Sequence, residues 1–403
     1  MNDFDFRRPL KVALVSDFCL PRQGGIEYQL RDLGLQLTAA GHTVHLITST
    51  PGPAEVAGLR VHRLATSHVP KLAVMWNPLA FAQVRALIAR ERYDVLHCHT
   101  ALSPLANGTA LLGRQLGIPS LLTEHSVLRD DWAPVFRAVR GLYRWPRWPH
   151  LLSGVSRVVA ADLRRISGRE DVVVLPNGVN LDEWRLSDVL LEQRRSQPSR
   201  SGRRRRVTSV MRFTPRKQPL DVVRAMAHVH AQLPEAQRPI FTLVGDGPER
   251  ERVVALAEQL GLTAELELPG FLPREEVRKI LYDSELFILP TAKEALSIAA
   301  IEARCAGLPV VAMAGSGVSD VVASGRQGFL ASSGREFGEA IVRLLRDEPL
   351  RQRMAAEARA GIERFAWPQI LHEHLEAYAR TAAQCRAAAV DDATTVRRAA
   401  TGS

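Results

Sequence analysis

Three cations fall within six residues at Arg212, Arg216 and Lys217, in the stretch RFTPRK, with no acid before Asp221. Like charges this close repel one another unless an anion sits among them. A diphosphate suits the group, because arginine offers a planar fork of donors and lysine a compact charge. A solvated loop would carry the same residues. A second stretch runs from Phe287 to Pro309, FILPTAKEALSIAAIEARCAGLP. Glu294 follows an apolar run there, and Leu296, Ser297 and Ile298 open a helical pattern stopped by Gly307 and Pro309. On that helix Ile298, Glu302 and Cys305 share one face among alanines. A carboxylate on an apolar stripe is costly without hydrogen-bond donors. Paired ribose hydroxyls would supply them; so would a neighbouring arginine. The free N–H groups at the helix start suit a phosphate.

The first half carries fewer such residues. Gly24 and Gly25 lie in SDFCLPRQGGIE, between the apolar run Val12 to Val15 and a helical stretch from Tyr28 to Leu37. Adjacent glycines at that position imply backbone that comes close to a partner. His125 follows the apolar run Ser120–Thr123. His97 and His99 alternate along one run and face the same way, but a metal site would need a third ligand that the spacing does not identify. A dinucleotide fingerprint would be GxGxxG with an acid about 20 residues on. Here the turn reads PRQGGIE and the next strand ends at Leu46–Ile47–Thr48 without an acid.

The elements that must position these residues alternate regularly. Strands are expected at Val12–Ser16, Val44–Thr48, Val95–Cys98, Ser120–Thr123, Leu152–Ser156 and Val172–Leu175. A second series follows at Val207–Met211, Ile240–Val244, Glu265–Leu268, Leu286–Leu289, Leu308–Met313 and Gly328–Leu330. Helical patterns intervene, with Gly41 and Gly117 placed as C-terminal caps. Strand, helix, strand at this spacing predicts an α/β protein with two Rossmann-like doubly wound parallel sheets and a cleft between them. Ligands of such sheets bind beyond the carboxyl ends of the strands, which is where the candidate residues fall.

The boundaries expected are a first domain over 1–185, a basic linker over 186–206 and a second domain over 207–366. A closing helix over 367–385 (its pattern runs Pro368 to Ala383) is expected to cross back to the first domain, and the tail over 386–403 to be disordered. At 403 residues with 46% hydrophobic and 24% charged, the chain has a soluble globular composition, and no run of apolar residues is long enough to span a membrane. The N-terminus lacks the apolar region and cleavage site of a signal peptide. Cys19, Cys98, Cys305 and Cys385 are far apart, which fits reduced thiols in the cytoplasm rather than a disulfide frame or zinc site. The net charge of +10 suits anionic partners, but much of it lies in the linker and tail, and nucleic acid is not expected as a partner. The segment RAVRGLYRWPRWPH over 137–150 interleaves Tyr143, Trp145 and Trp148 with arginines, a composition suited to peripheral contact with an anionic membrane face. A surface helix end and loop would read the same.

Taken in order, these motifs resemble the retaining glycosyltransferases of family 4, whose fold is GT-B. They are PxxGG after the first strand, TEHS at 123–126, PNGV at 176–179 and RFTPRK at 212–217. VGDGPER at 244–250, PGFLP at 269–273 and Glu294-x7-Glu302 before CAGLPVV complete the series. The likeness spans about residues 10 to 385. It extends to the enzymes that add N-acetylglucosamine to phosphatidylinositol in GPI-anchor synthesis, where a segment like SDF-x2-P-x2-GG-x-E also occurs. The resemblance implies a nucleotide-sugar donor, a UDP-sugar such as UDP-GlcNAc ahead of GDP-mannose, and an acceptor hydroxyl on a lipid or glycoconjugate. It implies no cofactor and no metal. Arg212 and Lys217 would hold the diphosphate, with backbone at Gly24, Gly25, Leu296, Ser297 and Ile298. Glu302 would bind the ribose, Gly245 and Leu272 would lie in loops at the nucleotide, Glu294 would bind sugar hydroxyls, and His125 would contact the sugar near the reacting carbon. Asp3–Phe4–Asp5 has the DxD pattern of some metal-dependent sugar transferases but precedes the first strand and lacks a supporting scaffold. The chain departs from the family at Ala295, where a glycine is common, and at Gly315 to Asp320, where Gly-Gly-x-Pro-Glu is common. The alternatives are a sugar-nucleotide epimerase and a non-catalytic sugar-nucleotide binder. A phosphorylase of this fold would need a cofactor lysine that is not placed here.

Overall fold

The computed structural model describes residues 8–22, 24–64, 78–100, 103–128, 141, 144–187 and 204–401, with backbone alone for 78–79 and 391–401. The chain divides into two compact units. One comprises the chain up to Gly178 with the segment from Trp367, and the other comprises Val179–Ala366.

The first unit holds β1 (Lys11–Val15), β2 (Thr43–Thr48), β3 (Glu55–Val56), β4 (Leu59–Arg63), β5 (Val95–His99), β6 (Ser120–Glu124), β7 (Leu151–Gly154) and β8 (Val173–Val174). They form one sheet in the order β3-β4-β2-β1-β5-β6-β7-β8, parallel except for the β3–β4 hairpin. The hairpin is not apparent from the sequence, because PGPAEVAGLRVHR has only two- and five-residue strands and its apolar positions are sparse. Helices Gly25–Ala39, Pro104–Leu116 and Arg157–Ser167 intervene. Ser103 caps the second of these by accepting from Ala106 N at 2.9 Å. Gly117, left-handed at φ 64°, closes it as its position predicts.

The second unit holds β9 (Arg206–Val210), β10 (Ile240–Val244), β11 (Leu266–Gly270), β12 (Leu286–Leu289), β13 (Val310–Met313) and β14 (Gly328–Ala331). All are parallel, in the order β11-β10-β9-β12-β13-β14. That is the doubly wound arrangement in which the order reverses beside the first strand. Phe213, Phe241, Phe287 and Phe337 are fully buried around it.

Several boundaries differ from those expected from the sequence. Residues 179–185 belong to the second unit, where Val179 N donates to Phe365 O at 2.8 Å. Most of the expected linker lies outside the described residues. Its last arginines are fixed to the second unit: Arg204 pairs with Glu265 at 3.0 Å, and Arg206 with Glu267 and Asp283. The last helix runs Trp367–Thr401, well past the expected end and through the segment expected to be disordered. Alanine-rich sequence explains the continuation, since alanine loses no side-chain entropy on entering a helix. Trp367, Ile370, Ala377 and Tyr378 of this helix complete the apolar cluster beneath β1, β2 and β7.

The basic-aromatic segment is described only in part. Residues 137–140 and Tyr143 lie outside the described residues. Trp145 is buried in the first unit's core, and Trp148 packs against that core. Trp145 is therefore a core residue, and Trp148 is half-buried against the core. Replacing Trp145 by Ala should cost about 3–5 kcal/mol of unfolding free energy, measured by urea denaturation. A loss below about 1 kcal/mol would return the ring to the surface.

Candidate functional site

In the second unit the chemistry gathers beyond β9 and β12. A short 3-10 turn, Pro215–Lys217, carries Lys217 out of the loop after β9. Its ammonium lies 2.6 Å from Glu294 Oε2. The Glu294 residue is 7% exposed, so the cation answers a charge that burial would otherwise isolate. The two loops are stitched together by backbone as well. Thr291 Oγ1 donates to Lys217 O at 3.1 Å, and Ala292 N to Gln218 Oε1 at 2.8 Å. Glu294 O in turn accepts from Gly317 N at 2.7 Å. Arg212 is exposed and has no side-chain hydrogen bond or ion pair among the described residues. Arg216 is exposed as well and donates to Lys293 O at 3.5 Å. The expected trio thus separates into a paired lysine, an unpartnered arginine and a loop-bound arginine.

Leu296 is buried and Ser297 is left-handed at φ 72°. Ser297 caps the helix Ile298–Cys305, accepting from Ala300 N at 3.2 Å. Glu302 lies on that helix with 9% exposure. Arg304 on the same helix donates to Ala358 O, Val321 O and Ala360 O, which ties the helix to the chain behind it. Gly245 adopts φ 128°, and a Cβ there would lie 1.9 Å from Met211 O, so its absent side chain admits the loop that carries Arg212. Its N–H is taken by Gly270 O at 2.9 Å. Leu272 is half-buried next to Phe271, which is 56% exposed. Sequence reasoning did not single out Phe271; an aromatic between Gly270 and Leu272 in a polar loop was the available signal.

In the first unit, Gly24 and Gly25 prove unequal. A Cβ on Gly24 would lie 2.4 Å from Glu27 Oε2, whereas one on Gly25 would meet nothing within 4 Å. Glu27 is buried, folds back over the turn and pairs with Arg22 at 3.1 Å. Gly24 is bare for Glu27, and Gly25 is bare toward open space. Asp17, at the end of β1, is buried and accepts from Ser49 Oγ at 2.7 Å and from Ser103 Oγ. It ties the loop after β1 to the loops after β2 and β5. The role of Asp17 is not marked by sequence spacing, because Ser49 and Ser103 are distant in the chain.

His125 follows β6 and its Nε2 lies 2.9 Å from His99 Nδ1. His99 stacks on His97, ring centroids 4.1 Å apart. His97 is bonded at both nitrogens, to Tyr378 OH at 3.0 Å and Thr123 Oγ1 at 2.8 Å. His374, on the last helix, faces His97 and shares a bond with Ile370 O at 2.8 Å. Burial drives all four imidazoles toward the neutral form: His97 and His99 well below their ordinary value, His374 to about 4 and His125 to about 3. His97 and His99 are thus joined by histidines rather than by carboxylates, and His374 was missed because it lies far away in sequence. Among the described residues, a different group has metal-ligand spacing. His45, His62 and Glu91 bring one ligand atom each within 4.8 Å of one another. Lys11 at 2.7 Å and Arg90 at 3.0 Å already occupy that carboxylate, and His45 Nδ1 is bonded to Tyr93 OH, so the group reads as a closed polar network.

Two outcomes follow. Gly25→Ala should leave stability unchanged or raise it by up to about 1 kcal/mol, because alanine restricts the unfolded chain. Gly24→Ala should lower it, because the Glu27 carboxylate must move; equal thermal melting of the two variants would defeat the distinction. The second outcome concerns acid. The unfolded chain protonates its histidines below about pH 6.5, while folded His374 and His125 resist protonation down to about 4 and 3. The unfolded state then binds more protons, so stability falls as pH drops from about 6.5, by about 2 kcal/mol per such histidine at pH 5. His374→Phe should flatten the fall in urea midpoint between pH 7 and pH 5, and an unaltered slope would remove His374 from the neutral set.

Comparison with known proteins adds an independent line. Residues 23–183 match the model of Glycosyltransferase Family 4, and residues 192–361 match that of Glycosyl transferases group 1. The chain is 25% identical over 332 residues to a phosphatidylinositol N-acetylglucosaminyltransferase polypeptide of Arabidopsis thaliana, covering 78% of this chain and 69% of that protein. It is 26% identical over 396 residues to D-inositol 3-phosphate glycosyltransferase of Frankia alni, covering 88% and 94%. N-acetyl-alpha-D-glucosaminyl L-malate synthase of Bacillus anthracis is 25% identical over 385 residues, covering 92% and 96%. Among solved structures, sucrose-phosphate synthase from Thermosynechococcus elongatus superposes with a TM-score of 0.74 at 23% identity, over 92% of this chain and 98% of that one. Anabaena HepE in complex with UDP and glucose superposes at 0.72 and 19% identity, over 91% and 99%. With two doubly wound units in the strand orders described and both halves matched by their own family models, the chain is a glycosyltransferase of the GT-B fold and belongs to glycosyltransferase family 4.

Proposed function

We propose that the chain transfers a sugar from a nucleoside diphosphate to an acceptor hydroxyl with retention of anomeric configuration. The observation that carries this reading is the 2.6 Å contact of Lys217 with Glu294 beyond β9 and β12, with the unpartnered Arg212 at the start of the same loop. Arg212 and Lys217 hold the diphosphate and offset the charge that develops on it as the bond to the sugar breaks. Backbone N–H groups at Leu296, Ser297 and Ile298 add to this at a helix start. Glu294 accepts from sugar hydroxyls, Glu302 from the ribose, and the loop with Leu272 lies at the base. Gly25 offers bare backbone to the phosphates, and His125 contacts the sugar near the reacting carbon.

The acceptor oxygen forms its bond to the anomeric carbon on the face from which the phosphate oxygen departs. The acceptor's proton passes to that departing oxygen, so atoms and charge balance without a covalent enzyme intermediate. A double-displacement route needs a carboxylate nucleophile free to reach the anomeric carbon. In the first unit, Asp17 and Glu124 at the strand ends are buried and accept from serine and threonine hydroxyls, which disfavours them in that role. The charge stabilisation proposed uses side-chain cations and N–H groups and calls for no metal or cofactor.

A UDP-sugar is the favoured donor, UDP-GlcNAc first and GDP-mannose the alternative. Two relatives carry N-acetylglucosamine in their names, and the HepE structures hold UDP. The acceptors those names mention, phosphatidylinositol, inositol 3-phosphate and malate, share a hydroxyl group and negative charge. A chain with net charge +10 suits an acceptor of that kind, lipid-borne or soluble. Among the described residues no helix is long and apolar enough to cross a membrane. We place the protein in the cytoplasm, with any membrane contact peripheral. Relatives named as transferases make an epimerase or inert binder the less favoured reading.

Thermal shift with UDP-GlcNAc, UDP-glucose, GDP-mannose and ADP-glucose tests the donor. UDP-GlcNAc should raise the melting temperature most, and no shift with any of the four would overturn the reading. Lys217→Ala should then lower the rate of sugar release from the responding donor by roughly 100-fold, or about 3 kcal/mol, as loss of an oxyanion donor does. A rate within a few-fold of the unaltered protein would remove Lys217 from the role.

A further inference from the structure

Gln218 breaks several local rules at once. It is left-handed, at φ 55° and ψ 47°, a conformation that is costly for a residue with a Cβ and free for glycine. It precedes Pro219, and proline pushes the residue before it toward extended backbone. It stands at the N-cap of the helix Pro219–Gln232, yet its side chain makes no capping bond to that helix. Glycine would join this helix to the turn that carries Lys217 without strain. The Gln218 amide is committed elsewhere on both sides. Ala292 N donates to Gln218 Oε1 at 2.8 Å, and Gln218 Nε2 donates to Asp221 Oδ2 at 3.0 Å. These partners fix which way the amide points, since a backbone N–H needs an acceptor and a carboxylate needs a donor. Strain retained at one residue is held in place by its surroundings and points to a use.

The use follows from where the bridge lies. Gln218 comes directly after Lys217, and Ala292 comes two residues before Glu294. Thr291 Oγ1 also donates to Lys217 O, at 3.1 Å. One contact between two loops is a pivot; a second, one residue along on each, stops rotation about the first. Lys217 and Glu294 then meet at 2.6 Å from backbones already set. Their ion pair could not set those backbones by itself, because the lysine stem is flexible and the Lys217 side chain is 30% exposed. We infer that Gln218 is a positioning residue: through the Ala292 N–H it fixes the segment that leads to Glu294, and so holds that carboxylate against Lys217. It acts through those two residues and not on the donor itself. This rests on the proposal that Lys217 holds the diphosphate and Glu294 the sugar.

Hydrogen exchange of the segment 291–296 in the full chain tests the bridge without any substrate. Gln218→Gly removes the side chain and the strain together, so the variant should melt within about 2 °C of the unaltered protein. Exchange in the segment should nevertheless speed up by about tenfold. The second arm follows hydrolysis of UDP-GlcNAc and UDP-glucose in water. Gln218→Gly should lower kcat by about tenfold, as misplaced reacting groups do, with KM for the donor nearly unchanged. Gln218→Glu sets two carboxylates face to face and should lose as much. Adding Asp221→Asn puts a donor opposite the new acceptor, and should recover most of kcat and the slow exchange. Unaltered exchange in Gln218→Gly would overturn the bridge. Faster exchange with full kcat would overturn the positioning role, as would a double variant no faster than Gln218→Glu alone. A kcat that falls only in step with the melting temperature would overturn it too, leaving Gln218 a residue of the fold. If Lys217→Ala also hydrolyses donor at the full rate, the role of Lys217 fails, while exchange still decides whether Gln218 sets the loop.

Discussion

A lysine and a glutamate brought to 2.6 Å at the edge of a dry parallel sheet organise the second unit. Neither side chain would be stable there alone. A carboxylate with 7% of its residue exposed needs a cation or donors, and a lysine needs an anion or water. Their contact obliges the loops after β9 and β12 to meet, and the backbone bonds at Thr291, Ala292 and Gly317 hold them there. The left-handed Ser297 and the helix it caps start from that junction. Arg212, on the same loop, is left with a positive charge that no described side chain answers.

The first unit solves a related problem with hydrogen-bonded polar groups. Its sheet is covered on both faces, so polar side chains within it must satisfy one another. Histidine suits this, because a neutral ring both donates and accepts. His97 does so fully, and His99 and His125 do so in part. The buried acids at Asp17 and Glu124 do the same by accepting hydroxyl hydrogens. The carboxyl edge of this sheet is thus polar and internally hydrogen-bonded. The other unit's edge carries the cations.

Much of this could be read in the sequence, for an identifiable reason. Strands buried on both faces appear as unbroken apolar runs, and whatever follows them is at the carboxyl edge. That logic located β10 and β12 to the residue and put His125, Arg212, Lys217 and Glu294 just beyond strands. It could not pair Lys217 with Glu294 over 77 positions, nor find His374, which reaches the histidine cluster from the last helix. The β3–β4 hairpin escaped because β3 has two residues and β4, LRVHR, interrupts its apolar positions with basic ones. The burial of Trp145 is not legible either, because rings beside arginines look alike at a membrane surface and at the rim of a core; only packing separates them. The tail was read as disordered from weak amphipathicity, although alanine content alone favours helix.

The return of the chain from the second unit to the first has a consequence for assembly. Trp367, Ile370, Ala377 and Tyr378 belong to the same apolar cluster as Leu14, Leu33 and Val95. Val179–Ala366, by contrast, is one uninterrupted segment. A ribosome therefore delivers all of the second unit before the first has its last wall. Until residue 378 is made, His97 lacks the tyrosine hydroxyl that anchors one of its nitrogens, and the sheet at β6 and β7 lacks the helix that packs on it. The half of the protein that is synthesised first is the half that is finished last. That order makes the nascent N-terminal sheet the part of the chain with most need of protection from aggregation.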